Sequence, residues 1–410
     1  MNFTKTKNIK LSIIKEMELL ASKVPGAVSL AQGIPSFETP ESIKNFVKKA
    51  MDSNLVSKYS LCPGLSELRE IISERLKKDS MDYNFDTEII VTAGAIEGIT
   101  SSLLAILAPG DEVLLPSPTY ASYPEAVKIA GGVPVFVSLI EEKGWQISTQ
   151  AFQGKITPKT KAILFCNPNN PTSTVYTKEE LQQLEKLAGE HNLFIISDEV
   201  YKDFIYPVRS RSPQGGRSRV FDRAASNGVG DDSIKFYSPA QNPKIRDKVI
   251  RVFSFSKAYA MTGWRVGFIH SIKENITEIL KVHDAIVTCA PVISQYAAIA
   301  AFEMADEDIL RFKKEFLRRR ELILKRLGDL KDIFSYQKPN SAYFVFAKIN
   351  SAKPSREFAL DLLYKAKVAT VPGIAFGPTG ENHIRMSFGA TPEIINEAFD
   401  RMNKYFKRSS

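Results

Sequence analysis

Between about residues 85 and 270, short runs of β-branched and apolar residues alternate with stretches of helical period, and few architectures accept that pattern. Glu88–Thr92, Glu112–Leu115, Val133–Val137, Lys161–Cys166, Leu193–Ser197, Val249–Phe253 and Val266–Ile269 read as strands. Their near-continuous apolar character predicts strands covered on both faces. One crossover helix is explicit: Thr177 and Glu180 make a capping box, and Leu181, Leu184 and Leu187 then form a single apolar stripe. The expectation is an α/β protein with a mostly parallel sheet sandwiched by helices.

A chain of 410 residues exceeds what one core usually supports. After Pro291 the texture changes: a long helical stretch over Ser294–Leu327 is followed by Ala342–Lys348 and Ile384–Phe388 as strands and Ser355–Ala366 and Pro392–Phe406 as helices. This predicts a smaller α+β domain at 291–410 that includes a bridging helix, a large domain at 46–290, and an N-terminal segment, 1–45, joining the small domain. Residues 207–232 stand apart, with Arg209, Arg211, Arg217, Arg219 and Arg223 but no lysine, and read as a flexible surface insertion.

A net charge of +9 raises the question of nucleic acid, but the basic residues are interleaved with acids, as in Arg311–Glu321. That is a solvated helix face rather than a phosphate-tracking stripe, so attraction for small anions is the more economical use of the charge. Cys62, Cys166 and Cys289 lie far apart, and His191, His270, His283 and His383 show no paired spacing, so neither a disulfide framework nor a metal site is expected. No apolar run reaches membrane-spanning length and Met1–Lys10 lacks an apolar signal core, which predicts a cytoplasmic protein without a membrane partner.

Lys257 follows the buried run Val249–Phe253, with Ser254 and Ser256 before it and Arg265 eight positions later. A lysine at the mouth of a strand can condense with a carbonyl, while hydroxyls and a guanidinium beside it can hold a phosphate. Pyridoxal 5'-phosphate carries both groups; a solvated surface lysine is the alternative. Such a site also needs further phosphate donors, an acid for the ring nitrogen, a partner for the phenolic oxygen, a stacking group and a substrate anchor. Gly94 and Ala95 open the helix expected over Glu97–Leu107, where backbone N–H groups can approach a phosphate, although a plain turn has the same sequence. Asp198 emerges from a buried strand and would seek a cation such as a pyridinium, unless it only caps a helix. Asn170 and Tyr201 can donate to a phenolate, and Tyr120 can stack on a ring or be core. Arg385 sits inside an apolar strand and needs an anion, either a substrate carboxylate or a structural partner. Ile13, Ile14, Ile34 and Phe37 are candidates for an apolar side-chain pocket, and no second cation can be set against a side-chain carboxylate.

With these pieces in order, the chain resembles the class I/II aminotransferases, the aspartate aminotransferase-like members of the pyridoxal-phosphate-dependent fold type I superfamily. The resemblance rests on Ala31-Gln-Gly33, Tyr59 with Pro63-Gly64, Asn170-Pro-Thr172, Asp198-Glu-Val-Tyr201, Ser254-Phe-Ser-Lys257, Gly263-Trp-Arg265 and Arg385-Met-Ser-Phe. It covers the length of the chain apart from 207–232. It implies an amino-group transfer from an L-amino acid to a 2-oxo acid such as 2-oxoglutarate or pyruvate, by a ping-pong mechanism through a Lys257 aldimine. Lys257 would also shuttle the proton, Asp198 would pair with the ring nitrogen, and Asn170 and Tyr201 would bind the phenolic oxygen. Gly94, Ala95, Ser254 and Arg265 would hold the phosphate, joined by Tyr59 from the other subunit of a homodimer. Tyr120 would stack on the ring, and Arg385, Asn170 and the Gly33 backbone would bind the substrate carboxylate. Two positions depart from the family pattern: Ser173 stands where glycine usually follows Asn-Pro-Thr, and the turn Pro339–Tyr343 lacks a glycine. A carbon–sulfur lyase or cyclopropane-forming synthase on the same scaffold is the near alternative. A transcriptional regulator is disfavoured, because the roughly thirty residues before Gln32 fit no helix-turn-helix.

Overall fold

The computed structural model describes residues 6–7, 9, 11–207 and 235–409, so 208–232 of the arginine-rich segment lie outside the described residues. A helix at Ile13–Ser22 (α1) and a short strand at Val28–Ser29 (β1) precede the large sheet. Its strands are Ile89–Thr92 (β2), Glu112–Ser117 (β3), Val133–Ser138 (β4), Thr160–Cys166 (β5), Phe194–Asp198 (β6), Val249–Ser254 (β7) and Gly267–His270 (β8), in the order β2-β8-β7-β6-β5-β3-β4. All seven coincide with the apolar runs read from the sequence, within one or two residues at their ends. Neighbours pair in parallel except at β8, which is antiparallel to both β2 and β7.

The apolar runs are continuous because successive residues enter two different cores. Ile163, Phe165, Ile195, Val249 and Phe253 face one helical layer. Ala162, Leu164, Cys166, Ile196, Ile250 and Val252 face the other. The capping box forms as read: Thr177 Oγ1 accepts from Glu180 N at 3.2 Å, and Glu180 Oε2 accepts from Thr177 N at 2.7 Å. Leu181, Leu184 and Leu187 of that helix are buried.

A second sheet is antiparallel throughout. Its members are Phe334–Tyr336 (β9), Phe344–Ile349 (β10), Val371–Pro372 (β12, after a short strand Val368–Ala369, β11) and His383–Ser387 (β13), ordered β12-β13-β10-β9. β1 pairs in parallel with β11, and α1 packs on β11 and β12. The N-terminal segment therefore lies against β12, the strand in which Val371 pairs with Arg385.

The helix expected over Ser294–Leu327 is two helices, Val292–Met304 and Asp306–Gly328, meeting at Ala305. The first is buried nearly all round by alanines and isoleucine, whereas the second is amphipathic. Asp306, Glu307 and Asp308 begin the second helix, where carboxylates favour a new N-terminus. The first packs on Glu41–Asp52 and Ser66–Lys78, the second on Pro392–Ser409. Among the described residues, no helix is long and apolar enough to cross a membrane, and no cluster of three or more potential metal ligands occurs.

Candidate active site

The carboxyl ends of β2, β3, β5, β6 and β7 all point to one edge of the large sheet, the usual ligand-binding edge of an open α/β sheet. Gly94, Tyr120, Asn170, Asp198 and Lys257 each lie at or just beyond one of those ends. Because β8 runs the other way, its amino end reaches the same edge and carries Arg265 there. These ends and the β13 residue Arg385 enclose a cavity of about 520 Å³. Its wall includes Gly33, Ala95, Tyr120, Asn170, Asp198, Tyr201, Ser254, Lys257, Arg265 and Arg385.

Lys257 lies in a one-turn helix, Phe255–Ala258, which Ser254 caps by accepting from Ser256 N at 3.2 Å. Its Nζ donates to the Gly33 carbonyl at 2.6 Å, and Tyr343 Oη donates to the same oxygen at 3.1 Å. Burial, reinforced by Arg385 and Arg265, pushes the ammonium down to about 8. Asp198, 4% exposed, accepts from Tyr123 Oη at 2.7 Å and from Val200 N at 3.2 Å. Burial nevertheless pushes its carboxyl up to about 6. No cation is bonded to it among the described residues, so this acid is held ready for one. Burial also raises the Tyr201 phenol well above its ordinary value, which keeps it a neutral donor.

Gly94 sits where only glycine fits beside Arg265. Its φ is +87°, and a Cβ there would stand 2.6 Å from Arg265 Nη2. Arg265 itself is in the left-handed region at φ +53° and donates to Thr262 O at 3.1 Å. No carboxylate pairs with it among the described residues. Ser254 Oγ donates to Ser256 Oγ at 2.9 Å, and both serines line the cavity.

Arg385 differs from every other deeply buried arginine among the described residues. Arg69 pairs with Asp86, Arg251 with Glu199, Arg319 with Glu315 and Arg320 with Glu321. Arg385, 1% exposed, donates instead to two neutral acceptors, Asn170 Oδ1 at 3.1 Å and Ala31 O at 2.7 Å. Its guanidinium lies 4.5 Å from the Phe344 ring centre and 5.0 Å from that of Phe376. Its Nε is buried with no partner, and burial pushes the group down to about 10. Lys15, Lys257, Arg265 and Arg385 thus face the cavity against two acids, Glu18 and Asp198. The surplus calls for anions, and a phosphate with a carboxylate fits it.

Tyr59 does not enter this wall; it is 84% exposed in the single chain. Of the expected apolar pocket, Ile14 and Ile34 line the cavity but Ile13 and Phe37 do not. Phe37 stacks on Phe312 at 4.2 Å between ring centres, so it is core. Ser173 takes the glycine-like conformation directly, at φ +57°, and its Oγ donates to Phe344 O at 3.0 Å. Ala342 does the same at φ +49°. Each of the two loops thus holds a non-glycine residue in the left-handed region. Sequence reasoning missed Tyr123, the donor to Asp198; its signal was a second tyrosine one helical turn after Tyr120. It also missed Lys15 and Glu18, whose place in the wall depends on how α1 docks.

A family model described as aminotransferase class I and II matches residues 25–402. An aromatic-amino-acid aminotransferase of Thermococcus litoralis is 36% identical, over 97% of this chain and 96% of its own length. An aspartate aminotransferase of Pyrococcus abyssi shows the same 36% identity, over 97% of this chain and 96% of its own. Among solved structures, the aspartate aminotransferase of Thermus thermophilus with maleate superposes with a TM-score of 0.87 at 30% identity, covering 99% of each chain.

Proposed function

The chain belongs to the class I and II aminotransferases, and from that premise we propose that it moves an amino group from an L-amino acid to a 2-oxo acid, 2-oxoglutarate or pyruvate, in two alternating half-reactions at one cavity. The observation that carries the reading is Arg385: a buried guanidinium without an acid partner, in the same cavity as a half-buried lysine depressed to about 8.

Pyridoxal 5'-phosphate, when bound, supplies an aldehyde that exchanges amines and a ring that accepts the electron pair left at the substrate α-carbon. The residues fit it. Arg265, the hydroxyl of Ser254 and the N–H groups at Gly94 and Ala95 hold the phosphate. Asp198, kept in place by Tyr123, would accept the ring N–H, whose positive charge would offset the cost of burying the carboxylate. Tyr201 and Asn170 donate to the phenolic oxygen, and Tyr120 covers the ring. Arg385 binds the substrate α-carboxylate through a paired N–H fork, with Asn170 and the Gly33 backbone beside it. This fixes which bond at the α-carbon faces Lys257. Nζ takes the α-proton, and the flanking cations favour its neutral form at each return.

Two copies would assemble with Tyr59 of one completing the phosphate cup of the other, which suits a side chain that faces solvent in the single chain. Residues 46–290 would form the large, cofactor-binding domain, and 291–410 with 1–45 the small one. Three free cysteines suit a reducing, cytoplasmic setting. Lys257→Ala tests the reading: the variant should bind pyridoxal 5'-phosphate but lose about 10²–10⁴-fold or more of its turnover. Transamination at the unaltered rate, or a parent protein that acquires no visible absorption band with the cofactor, would overturn it.

A further inference from the structure

His383 begins β13, two residues before Arg385, and no part of the mechanism uses it. Its ring is 3% exposed, stacked on Phe346 at 4.7 Å between centres and edge-on to Trp145 at 5.3 Å. Nδ1 lies 3.0 Å from the carbonyl oxygen of Glu381, and Nε2 lies 3.1 Å from Glu141 Oε1. Glu141 belongs to the turn that follows β4 of the large sheet, so this bond crosses from one sheet to the other. Lys348 of β10 reaches both Glu141 oxygens at 3.3 Å from the solvent side.

Both partners of the ring are acceptors. The carbonyl can only accept, so Nδ1 carries a proton. In a neutral ring, Nε2 would then turn its lone pair on a carboxylate, in a place nearly closed to water. Glu141 does not resolve the conflict by taking a proton itself. Its hydrogen bond to His383, opposed by burial and helped by the Lys348 charge, holds the carboxyl below its ordinary value. The arrangement is complete only with an imidazolium. The charged groups around the ring are Glu141, Lys348 beyond it, and Glu381, whose carboxylate is turned to Ser355 N at 2.5 Å and Asn382 N at 3.2 Å.

From this ring to Arg385 the contacts are continuous. Phe346 stacks on His383 and meets Phe376 edge-on at 5.8 Å, and the Arg385 guanidinium lies over Phe376. Elsewhere on the same seam the contacts are neutral: Thr119 N donates to Phe376 O at 2.8 Å, and Thr379 Oγ1 donates to Ser117 Oγ at 2.7 Å. The geometry points to His383 as a positioning residue: as an imidazolium bonded to Glu141 it latches β13 onto the large sheet and sets Arg385, and loss of the ring proton opens that latch. Recognition of the carboxylate should therefore weaken as pH rises through the range in which histidine changes charge. This rests on the reading of Arg385 as the α-carboxylate site.

The test follows the first half-reaction of the holoenzyme by loss of its visible absorption, with aspartate against β-alanine and phenylalanine against phenethylamine. Titration of Lys257 touches acid and amine alike, so the acid-to-amine ratio of second-order rates reads recognition of the carboxylate. At about pH 6 the parent's ratio should exceed that of His383→Gln about three- to tenfold, as for a partly buried ion pair. At about pH 9 the two should agree within about twofold. Glu141→Gln, at a more exposed position, should match His383→Gln, whereas Lys348→Met should keep the parent's profile because the ring bond remains. Histidine side-chain NMR needs no turnover: the signal that His383→Gln removes should show two ring N–H groups at about pH 6 in the parent, and should lose one at a lower pH in Glu141→Gln than in the parent. An excess that is constant across this range, or absent from it, overturns the inference, as does a neutral His383 ring at about pH 6. A parent that prefers neither acid to its amine sinks the reading of Arg385 itself, and the latch with it.

Discussion

Replacing Arg385 and Arg251 separately by methionine distinguishes an arginine that waits for a ligand from one that holds the fold. Arg251→Met leaves Glu199 as a buried charge without its cation, which should cost about 3–5 kcal/mol of stability. Arg385→Met strands only the neutral acceptors Asn170 Oδ1 and Ala31 O and loses two ring contacts. Against those losses, it removes a guanidinium that burial pushes down to about 10, a penalty of about 3 kcal/mol. That penalty is present at every pH below the depressed value, so it acts in full at pH 7. The opposing contributions should cancel to within about 1–2 kcal/mol. Activity should divide the other way. Two charge-assisted bonds to a carboxylate, at about 1.5–3 kcal/mol each, put the loss in kcat/KM at roughly 10²–10⁴ for Arg385→Met. Urea unfolding of the apoproteins reads the first quantity, and turnover of an amino acid against its decarboxylated amine reads the second. The variant should lose most of its preference for the acid over the amine. If Arg385→Met unfolded as readily as Arg251→Met, or kept its preference for the acid, the missing acid partner would not mark a substrate carboxylate site.

Capture of the cofactor by apoprotein requires neutral Lys257, so its rate should rise about tenfold per pH unit below about 8 and flatten above it. Arg265→Met, which removes one of the depressing cations, should move the bend upward; a bend near the ordinary lysine value in the parent would refute the assignment. Asp198→Asn should stabilise the apoprotein at pH 7, because a carboxyl raised to about 6 contributes stability below its unfolded value that is lost as pH rises through 6. The rise of about two units corresponds to about 3 kcal/mol, present at pH 7 and absent at pH 4. A stability gap that stayed constant between those two pH values would contradict it.

The large sheet was legible because burial on both faces writes an apolar residue at every strand position, and because each site residue of that sheet follows such a run. Asp198, Asn170 and Lys257 inherit their places from β6, β5 and β7. The short strands β1, β11 and β12 gave no such signal: two residues carry no period, and their pairing is set by the docking of distant segments. The same holds for Lys15 and Glu18, which look like an ordinary solvated pair until α1 is laid against β11 and β12. The Ala305 break escaped because both flanking stretches keep helical period, and only the acidic run Asp306–Asp308 marks the new start.

Arg385 also sets the order in which the site can come into being on a growing chain. Its partners Asn170 and Ala31 precede it by 215 and 354 residues, whereas Lys257 and Arg265 are carried by a single local turn. During synthesis the turn that carries Lys257 and Arg265 can take shape while the chain is still being extended. Arg385, proposed to bind the substrate carboxylate, arrives only after β13 has been made and paired with β10. A nascent chain can therefore hold its nucleophilic amine for many seconds before it can select what that amine meets. On the proposed role of Arg385, this long-range closure makes selectivity the last property of the enzyme to mature.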